Sequence, residues 1–404
     1  MGRCLSLCYS QEPSMTNPSS PDPSQDDQRR RDALNVGCLR HPYSQGFLTW
    51  WTTILHTNQM VRHRASLENL FSSIVAFMIG FILSHKALRG DLSWLEAGLL
   101  LVLAWGHVLY ALRCFRLPNR HACAHGDLTH HPRLDFWIGQ TLSAILWTAP
   151  MSSYKATHVF DPSRAHHHWK ILLTPGESTF EEIKTLGFQP GVPNQYNWRH
   201  LQSLLLSPGF YWAQLRSSFH AAFRTGTPWE RSYNLALWSL ILTILIHTHE
   251  ITVFLVAFSV PRILFEYVQV LRVCVEHTFP TPGPRTMASY RSMTSAIISA
   301  EPAPAFHPED GPCERSMRWI CWGFRMVLLH LPARFYVLSG DVATHDVHHC
   351  KPGADFSNFE TERLKLIKQG YPLTSTWGLI PAIDKFFSSL SIQQRNLFAS
   401  HKEK

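Results

Sequence analysis

Residues 67–84 read LENLFSSIVAFMIGFILS, a run whose single charge, Glu68, lies at its start. A helix needs about 20 mostly apolar residues to cross a bilayer, and this run approaches that length. A second run follows closely: Leu92 to Leu112, LSWLEAGLLLVLAWGHVLYAL, with Glu96 as its acid. The longest apolar stretch, Asn234 to Val275, is interrupted by HTHE at 247–250 and by Pro261–Arg262, and reads as two helices joined by a very short turn. Leu134 to Tyr154 is apolar but broken by Pro150, and Arg318 to Gly340 is weaker, with three arginines. These runs predict an all-α integral membrane protein with about four transmembrane helices in two hairpins and one or two interfacial segments. The competing reading is a soluble helical core. Eighteen nearly uncharged residues are hard to bury in a small soluble domain, which weighs against it.

Composition agrees. The 404 residues would make two or three average soluble domains, yet only 16% are charged and 12% are aromatic. Soluble chains carry about 25% charged residues. Charge placement gives an orientation. Arg62 and Arg64 precede the first run, and Arg113, Arg116 and Arg120 follow the second. The connection between them holds Lys86 and Arg89 against Asp91. Arg216, Arg224 and Arg231 are read as lying before the second pair and Arg262 and Arg272 as lying after, and HTHE has neither Lys nor Arg. The positive-inside tendency therefore puts both ends of each hairpin, and both termini, in the cytosol of a multi-pass protein. Contact with anionic leaflets accounts for the net charge of +8, and no nucleic acid is required. Nine dispersed cysteines without a CxxC pair point to reduced thiols.

Residues 1–40 are polar and Pro/Ser-rich and read as a disordered tail. The start MGRCLS matches the short, common pattern for Gly2 myristoylation, with Cys4 and Cys8 nearby. Residues 171–230 read as a polar insert of loops and short helices, 280–313 as a second loop region, and 371–404 as a C-terminal tail beyond a main domain over 60–370. A helix is expected near Phe359–Gln369.

The chain has 24 histidines, and several cluster at the ends of the apolar runs. His121 and His125 follow the second run; His158, then His166, His167 and His168, follow the third stretch. Glu276 and His277 close the longest stretch, and DVATHDVHHC at 341–350 places His345, His348 and His349 at i, i+3 and i+4. Residues so spaced share one helix face, so His121/His125 can present two imidazoles to one metal, and His345/His348/His349 three to a site between helices. Imidazole suits Fe, Zn, Cu and Ni. About eight to ten imidazoles are too many for one ion and right for two. Cysteine is nearly absent from the clusters, which disfavours thiolate-bound zinc or an iron–sulfur cluster. Lone histidines in apolar runs, such as His107, His247 and His330, read as core or interface residues.

The order HxxxH at 121–125, a multi-histidine box at 166–168, an EH pair at 276–277 and HxxHH at 345–349 resembles the membrane fatty acid desaturase and hydroxylase superfamily. The resemblance covers roughly residues 60–370, and its last box is the most specific. It implies four spans with a cytosolic cap and two iron ions that activate O₂ to attack an unactivated C–H bond. Carried over, His121, His125, His166, His167, His277, His345, His348 and His349 would be iron ligands. The middle box departs from the family's HxxHH: Ser163 stands where its first histidine would be, while Trp169 matches the aromatic that often follows. His158 stands as a replacement ligand, and His168 as an alternative to His166. Pro162 prevents one continuous helix from 158 to 168. Asp127, Glu276 and Asp346 lie next to ligand histidines and read either as orienting acceptors for imidazoles or as solvated acids. Phe136–Trp147 reads as a packing or lipid-facing segment, with an acyl tunnel wall as the alternative.

The resemblance implies a fatty acyl or lipid substrate and desaturation of its chain. The same core supports hydroxylation, or oxidative decarboxylation of a free fatty acid to a terminal alkene. No haem-attachment, rubredoxin-type or HPGG motif is present. Electrons would therefore come from a separate ferredoxin, rubredoxin or cytochrome b5, an acidic partner for the basic face. A membrane metal carrier would place ionisable residues within the spans, where His107 is one of few candidates. A zinc hydrolase would need about three protein ligands and a general base.

Overall fold

The computed structural model describes residues 42–53, 66–160, 170, 172–175, 177–304, 309–340, 342–351, 354, 358–395 and 397–398. The proposed N-terminal tail and His166, His167 and His168 lie outside the described residues. In chain order the helices are α1 (Pro42–Thr52), α2 (Ser66–Arg89), α3 (Trp94–Cys114), α4 (His121–His125), α5 (Pro132–Leu146), α6 (Met151–Lys155), α7 (Ser178–Thr185), α8 (Asn194–Leu205), α9 (Pro208–Arg224), α10 (Pro228–His247), α11 (Ile251–Glu276), α12 (Met287–Arg291), α13 (Pro312–Arg325), α14 (His345–Cys350), α15 (Phe359–Lys368) and α16 (Leu379–Ser391). Two short strands, β1 (Ala296–Ile298) and β2 (Ser375–Trp377), pair in parallel with Ile297 opposite Thr376.

Among the described residues, three helices are long and apolar enough to cross a membrane: Ser66–Arg89, Trp94–His125 and Ile251–Glu276. The helix expected as a fourth span, α10, is present but is not among them. An α-helix rises about 1.5 Å per residue, and the hydrocarbon core of a bilayer is about 30 Å thick. With 24 residues, α2 is long enough to cross it. The helix starts are encoded locally. Ser93 caps α3 by accepting from the Glu96 amide, while the Glu96 carboxylate accepts from the Ser93 amide at 2.9 Å. Thr227 and Glu230 make the same reciprocal cap on α10. Pro228 sits in its first turn, where its missing N–H is harmless. Large apolar side chains on α2 and α3 point outward: Phe71, Met78, Ile82, Leu99 and Val102 are all more than half exposed. A soluble protein seldom exposes so continuous an apolar surface.

α2 and α3 meet closely because Gly80 has no side chain. A Cβ there would collide with Val108 Cγ2 and would lie 2.9 Å from the Ala104 carbonyl oxygen. At one end of these helices Arg89 donates to the His249 carbonyl at 2.7 Å, so the turn after α2 sits beside the turn between α10 and α11. The histidines lie at the other ends, after α3 and after α11.

Several arginines read as leaflet contacts are internal. Arg113 is fully buried and donates to the Tyr336 and Val337 carbonyls at 2.6 and 3.3 Å. Arg120 donates to Ser143 Oγ and the Ala149 carbonyl, and Arg262 pairs with Glu266 one turn along α11. The boundary expected at residue 370 is not a structural one. Phe386, Phe387 and Leu390 of α16 are completely buried in the main core, with Phe180 and Ile183 of α7, Phe188 of the following connection and Leu201 of α8. A polar average over 371–404 hid this amphipathic helix. Likewise the insert at 171–230 holds α7, α8 and α9, and its apolar residues join the same core.

Candidate metal centre

The end of α3 is redirected before it delivers its histidines. Leu117 precedes Pro118 and takes an extended conformation, as a residue before proline tends to. The chain then re-enters a helix at His121, and α4 stops at Gly126, whose φ of 82° is left-handed. Glycine takes that conformation without strain. One helical turn thus holds His121 and His125 on a common face.

Among the described residues two groups of histidines result. His121, His125, His158 and His348 form the first, and His277, His345 and His349 the second. Within each, the possible ligand nitrogens all lie within 4.8 Å of one another. In the second group the three Nε2 atoms make a triangle: His277 to His349 is 3.0 Å, His345 to His277 is 3.2 Å, and His349 to His345 is 3.1 Å. In the first, His121 Nε2 is 3.1 Å from His125 Nε2 and 3.0 Å from His158 Nε2. His348 completes it, its ring centroid 4.8 Å from that of His121.

Hydrogen bonding alone cannot satisfy such a triangle. Each Nε2 either carries a proton or accepts one. Three mutually adjacent atoms cannot alternate, so at least one contact is always donor to donor or acceptor to acceptor. A cation at the centre satisfies all three. The spacing fits as well: nitrogens about 2.1 Å from one ion lie about 3.0 Å apart at a right angle and about 3.4 Å apart at a tetrahedral one. These histidine groups can therefore hold metal ions.

α14 feeds both groups. His345 and His349, at i and i+4, share a face and join the second, while His348 joins the first. Successive helical residues are rotated by about 100°, which turns His348 away from His349. The expectation that all three serve one site is corrected by that rotation. The two groups are consequently adjacent, with the His345 and His348 ring centroids 5.6 Å apart. His158 stands in the first group, at the position the sequence left open.

The acids divide. Glu276 approaches the second group, its Oε1 4.0 Å from His345 Nε2, and is ion-paired with Arg272. Asp346 instead accepts from Arg363 Nε at 2.8 Å, which ties α14 to α15. Asp127 follows Gly126, and its backbone amide donates to the Ala122 carbonyl, closing the end of α4. Burial, with Asp346 nearby, pushes the Cys350 thiol up to about 11, so it is a neutral thiol at pH 7.

Sequence reasoning missed the supporting aromatics. Tyr154 stacks on His158 with centroids 4.9 Å apart, Arg120 lies 3.8 Å above the Tyr154 ring, and Tyr290 lies 5.0 Å from His349. Tyr154 was findable, because it is one helical turn before His158. Tyr290 was not, since only the tertiary fold brings α12 to α14. In Phe136–Trp147, Trp137 packs with Trp229 and Tyr233, and Trp147 with Trp238 and Phe258, so the segment packs against α10 and α11. Among known proteins, no family model and no curated sequence matches the chain.

Proposed function

We propose that this chain is a membrane oxidoreductase that desaturates a fatty acyl chain, using O₂, two irons held by the histidine groups and electrons from a separate donor protein such as a ferredoxin, rubredoxin or cytochrome b5. The observation that carries the reading is the pair of adjacent, all-histidine groups, at the ends of apolar helices and fed by one short helix. A zinc hydrolase would use one such group and leave the other unexplained. A metal carrier would spread its ligands along the spans, and these are gathered at their ends.

Bound there, the two irons would supply the activation of O₂ needed to break an unactivated C–H bond. The balance is simple: the chain loses two hydrogens, and these, with one O₂, two protons and two electrons, become two waters. The protein's own residues do the rest. His121, His125, His158 and His348 would hold one ion, and His277, His345 and His349 the other. Tyr154 fixes the ring plane of His158, and the Arg363–Asp346 pair fixes α14. The exposed apolar faces of α2 and α3 would meet lipid. We place α10 as a fourth span, because Leu235, Leu240, Ile244 and Ile246 are exposed along it and its turn to α11 lies beside the first turn. The histidines then face the cytosol, where an acidic donor meets a basic surface.

The test is metal content and product analysis on detergent-purified protein. About two irons per chain, lost in a His348→Ala/His349→Ala variant, with an unsaturated product from a fatty acyl substrate, is the expected result. One zinc per chain, retained in that variant, would overturn the proposal.

A further inference from the structure

Between the two histidine groups lies a cavity of about 180 Å³. His121 and His158 line it from the first group and His345 from the second, with Arg116, Arg272, Glu182 and Glu276 around them. Thr157, Ser178 and Thr179 line it as well. Leu117 and Tyr154 complete a lining that is about equally polar and apolar, and its four charged side chains suit a polar end of a ligand better than the length of an acyl chain. Pockets that enclose larger ligands start at roughly 300 Å³. This cavity falls short of that size. It fits a head group and a few carbons, not a chain.

Its two arginines differ. Arg272 is fully engaged, with Glu276 and Glu182 as ion-pair partners and Gln269 as a hydrogen-bond partner. Arg116 lies 6.0 Å from the Phe265 ring centroid, and among the described residues no carboxylate or carbonyl accepts from it. A guanidinium with its hydrogen-bonding fork unused is a ready receptor for an oxyanion. The histidine groups add to this. Neutral imidazoles bring no negative charge to the cations they hold, so the loaded centre is strongly positive and favours an anion beside it.

We infer that this cavity binds an oxyanion, a carboxylate or phosphate at the end of the substrate, with Arg116 as its receptor. The inference rests on the proposed oxidation of a fatty chain and adds where the chain's acid end sits. Where the oxyanion is the chain's own carboxylate, the acid end lies against the metal groups, and the C–H bonds presented for attack are those nearest the acid and not those at mid-chain.

The experiment is calorimetric titration of the full-length, metal-loaded protein in detergent with octanoate, inorganic phosphate and octan-1-ol, for wild type, Arg116→Gln and Arg116→Lys. Loss of a charge-assisted bidentate contact weakens binding by about tenfold to a hundredfold. We expect that loss for octanoate or phosphate in Arg116→Gln, partial recovery in Arg116→Lys, which restores the charge but not the fork, no change for octan-1-ol, and unaltered metal content. The anion that shows the loss identifies the source: octanoate a free acid, phosphate a lipid head group. Equal anion binding in wild type and Arg116→Gln, or no anion binding by wild type, overturns the inference. Failure of the oxidoreductase reading is separate. It would appear as absence of iron from wild type, and the metal-free chain would still report whether Arg116 holds an anion.

Discussion

His348 and His349 are adjacent in the chain and face different histidine groups, so their substitutions should differ in which ion is lost. His349→Ala removes one of the three described histidines of the second group and leaves His121, His125, His158 and His348 in place. His348→Ala removes one of the four described histidines of the first. Each single variant is expected to fall from about two metal ions per chain to about one, as measured by elemental analysis. Loss of both ions in each single variant would show that the groups load as one unit. The i, i+3, i+4 spacing pointed in the sequence to histidines able to hold a metal. The division of labour did not show there, because it depends on where His121 and His277 stand around α14.

Helix contacts were encoded less visibly than helix starts. The capping boxes Ser93–Glu96 and Thr227–Glu230 follow a local pattern and are legible in the chain. Gly80 and Gly98 look alike in sequence, each a glycine within an apolar helix. The structure separates them. A Cβ at Gly80 collides with Val108 and the Ala104 carbonyl, whereas one at Gly98 meets nothing within 4 Å. Gly80→Ala is therefore expected to destabilise the protein by about 1–3 kcal/mol through overpacking. Gly98→Ala should be neutral or stabilise by up to about 1 kcal/mol, since alanine is the better helix former. Thermal unfolding of the two variants in detergent checks both signs, and equal midpoints would refute the close α2–α3 contact. The same distinction applies to α16: its polar neighbours made 371–404 read as a tail, while Phe386 and Phe387 give it a buried face.

Across the whole molecule, the turns after α2 and after α10 lie together at the end away from the histidines. This makes sidedness testable. A cysteine introduced by His249→Cys is expected to react with a membrane-impermeant maleimide in intact cells. Native Cys313, exposed on α13, is expected to react only after permeabilisation. Labelling of both from the same side would overturn the proposed topology.

The sequence by itself determined the apolar helices, their caps, the positions of the short turns and the histidine types at their ends. All of these are local: hydropathy, capping and helical spacing act over one to a few turns. How seven of the described histidines, from four chain segments, sort into two groups, which acids stand beside them, and which arginines are internal are matters of tertiary packing. Those outcomes depend on distances between residues far apart in the chain. Arg113 meets Tyr336, and His277 meets His349, only once α3, α11 and the segment leading into α14 have packed.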